Sequence, residues 1–377
     1  MNLAIIGAGY MASLFATKAR ELGIETHCFA WDKGAVAKSL VDMFYPISIT
    51  EKDEILRICR SIPIDGVVAT TELTLTVANY VAMKMGLTCN PQNIMDNVTD
   101  KSWQRERCKQ AKKIKQPEYI RLQTYNEAKY ILQNISFPII IKPVAEGGKR
   151  GIEVVKNKTE FEESIRCSFD ADKHNKGVII EEYLDCGKEY SVESISYQGK
   201  HQIIQITEKI SSGPPHCVEL GHSQPANIQK TMRNHVISGI QEILSLIGYQ
   251  NGPAHTEIKI IDEDVFLIEV NARPGGDHIA HPLTLLSTGY DYLAEAIKVA
   301  LGIKPASFNG ENYQCSGVRF LTKQTAHLKA LFDTCDNKDW LYEKHKETVE
   351  LVELNHNDCS HTNYIIYAWD TIPHELT

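Results

Sequence analysis

The chain has 377 residues, 43% hydrophobic and 23% charged, an ordinary globular composition with enough length for two or three lobes and ample core. A net charge of -8 with no run of five like charges excludes a general nucleic-acid surface, so a small anionic substrate must be met by local basic residues. Ten cysteines without a Cys-x-x-Cys pair read as reduced thiols, and no apolar stretch approaches membrane-spanning length, so a cytoplasmic protein with no membrane contact is expected.

Leu3 to Gly7 reads as a buried strand, Tyr10 to Leu22 as a helix, Glu25 to Ala30 and Asp65 to Ala69 as further strands. This alternation predicts an α/β, Rossmann-like lobe over residues 1–98. The turn Gly7-Ala8-Gly9-Tyr10-Met11-Ala12 fits a dinucleotide pattern, with Asp32 a late candidate for the ribose, and alone would suggest an NAD-dependent oxidoreductase. A tight strand-to-helix turn needs the same small residues, and the rest of the chain favours that reading. Thr70 or Thr71 can cap a helix from Leu73 to Met85. Glu72, at the carboxyl end of a strand, either faces a substrate amino group or compensates the helix dipole.

Phe137 to Pro143 reads as a buried strand ending in Lys142, an ammonium that is costly to bury without an anion. A glycine-rich turn follows, from Ala145 to Ile152, whose backbone N–H groups can lie over phosphate oxygens. Gly177 to Leu184 is a strand ending in Glu181, Glu182 and Tyr183, and Lys188 to Glu193 begins another.

His255 to Ile261 and the stretch through Glu269-Val270-Asn271-Ala272-Arg273 read as a hairpin around Asp262-Glu263-Asp264. A turn centred on Glu263 sets Glu257 opposite Glu269, and two facing carboxylates cost roughly 0.2 to 1 kcal/mol unless a cation lies between them. Period-2 alternation adds Asn271 and Arg273 to that face and puts Ile258, Ile260, Phe266, Ile268 and Val270 on the other. Two carboxylates, an amide oxygen and a guanidinium suit a hard divalent metal beside a polyphosphate.

Taken in order, Asp100-Lys101, Ile141-Lys142-Pro143, the glycine loop, Glu181 to Leu184, Glu189, Glu257 and Glu269 to Arg273 resemble the ATP-grasp superfamily over about Asp100 to Leu301. The resemblance implies an ATP-grasp fold in which ATP lies between two α+β lobes, residues 99–178 and 179–377, behind a Rossmann-like first domain. It implies that Lys101 and Lys142 hold the phosphates under a lid of Gly147, Gly148, Lys149 and Gly151. Glu181 would accept from the adenine amino group, Tyr183 and Leu184 would reach the ring through their backbone, and Glu189 would take the ribose. Glu257, Glu269 and Asn271 match the Mg²⁺ ligands, with Mn²⁺ as a substitute, and Arg273 matches the arginine beside an acyl phosphate. Lys149 and Arg150 stand where many members carry a serine.

Within the superfamily, Glu219 to His222 is similar to the Glu-x-x-His segment that lines the acceptor site of L-amino-acid ligases and short carbamoyl-phosphate-synthase-like proteins. Glu72, Glu219, His222, Arg273 and Gly276 are the implied substrate contacts, with His216 and His255 as supporting residues and His278 and His281 beside the same cavity. The implied reaction is ADP-forming ligation of a carboxylate to an amine, with Arg273 and Lys142 stabilising developing charge. Its partners are small molecules, and a homodimer is compatible with it. A non-catalytic ATP-binding protein is the other alternative, against which the complete Glu257, Glu269, Asn271 and Arg273 set argues. From Lys304 onward, Ser316 to Leu321 and Tyr364 to Trp369 read as strands and Tyr342 to Glu347 as a charged connector.

Overall fold

Four short parallel strands, β1 (Asn2–Ile6), β2 (Glu25–Phe29), β3 (Met43–Tyr45) and β4 (Gly66–Ala69), form the first sheet in the order β3-β2-β1-β4. The glycine turn after β1 is packed closely. Gly7 has φ +102°, and a Cβ there would meet the Thr70 hydroxyl at 2.3 Å, while Ala12 is fully buried. Asp32 pairs with Lys38 on the surface. Thr71 caps the next turn in a capping box with Thr74, so Glu72 opens a 3-10 turn that leads into the helix Leu75–Met85.

The computed structural model describes residues 1–133, 135–214, 217–354 and 362–377. A second sheet, antiparallel, has the order β5-β8-β6-β7, from β5 (Tyr119–Leu122), β6 (Ile139–Pro143), β7 (Glu153–Val155) and β8 (Val178–Glu182). This small sheet runs to Glu182, past the boundary expected at residue 178, because β8 pairs with both β5 and β6. The helix Lys158–Ala171, capped by Asn157, sends Phe161 and Ile165 into its core.

Eight antiparallel strands make the large sheet, β13-β12-β9-β10-β11-β14-β16-β15. They are β9 (Lys188–Tyr197), β10 (Lys200–Ser211), β11 (Glu219–Gln224), β12 (Gly252–Ile261), β13 (Asp264–Asn271), β14 (Cys315–Leu321), β15 (Leu341–His345) and β16 (Asn363–Trp369). The charged stretch expected to be a connector contains β15, and its alternating Glu343 and Lys344 suit an edge strand by discouraging pairing with other chains. One face of the sheet packs on the helix Lys230–Ile247, whose Val236, Ile240, Ile243, Leu244 and Ile247 recur at helical spacing and are fully buried. Burying each such side chain is worth about 1.5 to 3 kcal/mol. The helix Tyr292–Ala300 joins the first lobe to the large sheet, since Tyr292, Leu293, Ala296 and Ile297 share one apolar cluster with Leu3, Phe15 and Ile195. That shared core fixes β4, and with it Glu72, against the large sheet. No helix among the described residues is long and apolar enough to cross a membrane.

Candidate active site

The hairpin of β12 and β13 turns through two residues, Asp262 and Glu263, with Asp262 at φ +52°. This is one residue tighter than the turn expected from the sequence. Ile258 pairs with Leu267 but Glu257 pairs with Glu269, so Ile268 is an extra residue, a β-bulge. The bulge restores the facing carboxylates and redirects the side chains before it. Val265 and Leu267 are the core residues, whereas Ile268, expected on the apolar face, lines the cleft. The Arg105 guanidinium donates to the Ile268 carbonyl at 2.7 Å and anchors the bulge.

The cleft has a volume of about 440 Å³ and lies where the three sheets meet. Glu72, Lys101, Lys142, Gly147, Gly148, Lys149, Glu181, Tyr183, Leu184, Glu189, Glu219, His222, Glu257, Glu269, Arg273 and Gly276 all line it. Gly151 instead packs behind the lid, where a Cβ would lie 2.4 Å from that of Ala171. Asn271 stands beside the lining and donates to Glu269 Oε1 at 3.0 Å.

Lys101 and Lys142 approach the cleft from different elements. Asp100 caps the helix Lys101–Arg107, and Lys101 Nζ lies 3.0 Å from Glu269 Oε2 while also donating to the lid carbonyl of Glu146. Lys142 donates to Glu181 Oε2 at 2.7 Å, and Arg105 donates to Glu181 Oε1 at 2.7 Å. Burial raises the Glu181 carboxyl, and these two cations override it and bring it to about 2. Each Glu181 oxygen thus has a cationic partner, and the carboxylate still lines the cleft. On the hinge, Lys259 donates to the Leu184 carbonyl at 2.6 Å.

A chain of charges runs across the large sheet. Lys209 Nζ sits 3.0 Å from Glu219 Oε1 and 3.1 Å from Glu257 Oε2, and Lys149 Nζ sits 2.8 Å from Glu219 Oε1. Burial raises Glu219, and Lys209 with Lys149 pulls it down to about 2. Lys149 also donates to the Cys217 carbonyl, so this lid lysine reaches the β10–β11 connection. Burial raises Glu257 as well, and Lys209 and His255 hold it well below the ordinary carboxylate range. Arg273 donates through Nε to Glu72 Oε1 at 2.7 Å, joining the first lobe to the end of β13.

His222 is fully buried and lines the cleft, and neither ring nitrogen has a hydrogen-bond partner among the described residues. Burial lowers it to about 3, so the ring is neutral near pH 7. Its Nε2 is 4.0 Å from Asp277 Oδ2, and burial together with Glu219 raises Asp277 to about 6. His278 lies outward of the cleft, packed on Phe320 and Tyr364, and His281 is absent from the lining. His216 lies outside the described residues.

Arg105, Lys209, His255 with Glu193, and Asp277 are site residues that sequence reasoning missed or left as minor. A signal existed for two of them. Arg105 is four residues after Lys101 on one helix face, and Lys209 continues the two-residue series Gln205, Thr207, all three buried. No cluster of three or more His, Cys, Asp or Glu stands ready for a metal among the described residues. Two facing carboxylates and an amide oxygen still fit Mg²⁺, which completes its shell with phosphate and water.

Residues 135–281 match the family model of the ATP-grasp domain. This matched stretch, residues 135–281, is similar to the ATP-grasp domain. Biotin carboxylase of Haemophilus influenzae is 27% identical over 192 residues, covering 50% of this chain and 42% of that protein. D-alanine–D-alanine ligase of Flavobacterium johnsoniae is 30% identical over 154 residues, covering 38% of this chain and 45% of that protein. The chain thus spans less than half the length of these curated relatives. The crystal structure of the L-amino acid ligase from Bacillus licheniformis has the same fold, with a TM-score of 0.79 at 22% identity over 98% of this chain and 94% of that one. The match places Lys142, Glu181, Glu257 and Arg273 within the ATP-grasp domain and leaves Lys101 and Glu72 before it.

Proposed function

We propose that this chain is an ATP-grasp enzyme, an ADP-forming, Mg²⁺-dependent ligase that activates a carboxylate as an acyl phosphate and joins it to an amine, with an amino acid as one substrate. The observation that carries this reading is the single cleft shared by Lys101, Lys142, Glu257, Glu269, Arg273, Glu72, Glu219 and His222. Phosphate-binding lysines, an oxygen-donor face and a buried polar acceptor end open onto one space, so ATP and a small zwitterion can lie side by side in it.

Lys101 and Lys142 would hold the phosphates, with the lid glycines above and the hinge backbone at Tyr183 and Leu184 against adenine. Glu189 would take the ribose. Glu257, Glu269 and Asn271 would hold the metal ion, which when bound would supply positive charge that lowers the barrier to carboxylate attack. Arg273 then exchanges part of its contact with Glu72 for the phosphoryl and acyl oxygens and stabilises the charge they develop. Glu72 becomes available to a substrate ammonium, and neutral His222 can accept a hydrogen bond from the attacking amine. The lid keeps water from the acyl phosphate.

ADP release should appear only with Mg²⁺ and the right pool in a screen of amino acids and small carboxylates. An NAD-dependent oxidoreductase predicts nicotinamide binding and no ADP. The packed Gly7 turn, the surface pairing of Asp32 and a first sheet of only four strands among the described residues weigh against it. Nicotinamide binding, with no ADP from any pool, would replace the ligase reading.

A further inference from the structure

We infer that Glu193 and His255 act as a positioning pair that sets the Glu257 carboxylate for metal binding and ties it to the loop following Arg273. The inference rests on the ligase reading only in taking Glu257 as a ligand of a nucleotide-bound cation.

The two residues lie opposite each other on β9 and β12, and both are buried. His255 Nδ1 is hydrogen-bonded to Glu193 Oε1, which fixes the ring and aims its other nitrogen at Glu257. His255 Nε2 lies 3.4 Å from Glu257 Oε1. The second oxygen of Glu193 accepts from the backbone N–H of Gly275 at 3.0 Å. A carboxylate removed from water is expensive unless its oxygens are satisfied, and Glu193 is satisfied by one imidazole and one loop amide.

Gly275 shows that the contact is built closely. A Cβ at this position would lie 2.7 Å from both Glu193 Oε1 and His255 Nδ1. Only a glycine lets the loop rest on the pair. The same loop carries Gly276 and Asp277 into the cleft. One continuous set of contacts therefore runs from Glu257 through His255 and Glu193 to the acceptor end. Groups that orient a metal ligand in this way typically change metal affinity 10- to 100-fold when altered.

The test uses the full chain with MnCl₂ and the non-hydrolysable nucleotide AMP-PNP, free Mn²⁺ being read by electron paramagnetic resonance. Glu193→Gln keeps the volume and removes the charge that holds His255. Gly275→Ala presses on the pair from the loop side without touching a proposed ligand. Both should weaken Mn²⁺ binding about 10- to 100-fold while thermal unfolding remains cooperative, and His255→Gln, whose amide can still reach Glu257, should lose less than His255→Ala. Mn²⁺ affinity within about twofold of the parent in both Glu193→Gln and Gly275→Ala overturns the inference and reduces the pair to packing. Because binding is read without turnover, a parent that binds Mn²⁺ yet releases no ADP would sink the ligase reading and leave this one standing.

Discussion

The β12–β13 and β10–β11 hairpins bring buried carboxylates to the same cleft, and they neutralise them in opposite ways. On β12 and β13, Glu257 and Glu269 face each other directly, and each is held by a lysine from another element, Lys209 and Lys101. On β10 and β11, the single carboxylate Glu219 has two lysines, Lys209 and Lys149. The first arrangement has room for a cation that competes with the lysines. The second sets Glu219 between two lysines, one of them shared with Glu257, which keeps Glu219 ionised and suits a zwitterionic ligand. Lys209 belongs to both, so the two ends of the cleft are electrostatically linked.

The sharpest way to break this comparison is Glu269→Gln. An amide cannot replace one of two anionic ligands, and a metal ion supplies several kcal/mol of charge stabilisation. ADP release should fall about 10³-fold, with cooperative unfolding retained because glutamine can still accept from Lys101. Retained turnover would show that the facing carboxylates are not a metal site.

Lys209→Met attacks the link itself. It leaves Glu219 and Glu257 buried without their shared cation, and breaking a buried ion pair from one side costs about 3 to 5 kcal/mol. Urea unfolding should show that loss, and adding Mg²⁺ with ADP should recover part of it, since the metal would supply the missing charge at Glu257. A loss that Mg²⁺ and ADP leave untouched would mean that the two hairpins are independent.

A smaller effect separates the ends by pH. Folding raises Asp277 from an ordinary 3.8 to about 6 through burial and the nearby Glu219. The folded state therefore binds this proton more tightly than the unfolded chain does. Asp277 contributes stability that is full below pH 3.8 and is lost as the pH rises through 6. Between those limits, unfolding free energy should fall more with rising pH in the parent than in Asp277→Asn. Parallel curves would place Asp277 in solvent contact that screens it.

How these regions could be read from sequence follows the same division. Alternation and facing carboxylates are local facts, so the pairing of Glu257 with Glu269 across β12 and β13 was legible. So was Thr71 at its cap, and so were β1, β2, β4, β6 and β8 within a residue or two. The register was reached through a different turn, since a two-residue turn and the Ile268 bulge together give the pairing that a wider turn would have given. A bulge leaves no period of its own, so the inward placement of Ile268 was hidden. Partnerships across the three sheets were hidden too. Nothing local reveals that Arg105, far from it in sequence, donates to Glu181. Lys209 joins the site only because β10 lies between β9 and β11.

Lys149 gives the finest discrimination. As a residue of a glycine-rich lid it was expected on phosphate, yet its ammonium reaches Glu219 and the Cys217 carbonyl on the acceptor side. If that contact latches the lid over the acceptor end, Lys149→Ala should raise the KM of the amino acid about tenfold, the size of one charge-assisted hydrogen bond of about 1.5 kcal/mol. The KM for ATP should change less than about threefold, because Lys101 and Lys142 remain. A change confined to the KM of ATP would return Lys149 to the phosphates and make Glu219 a carboxylate that Lys209 alone keeps ionised. The split between the two constants thus decides whether the lid closes on the nucleotide alone or also on the substrate that will attack.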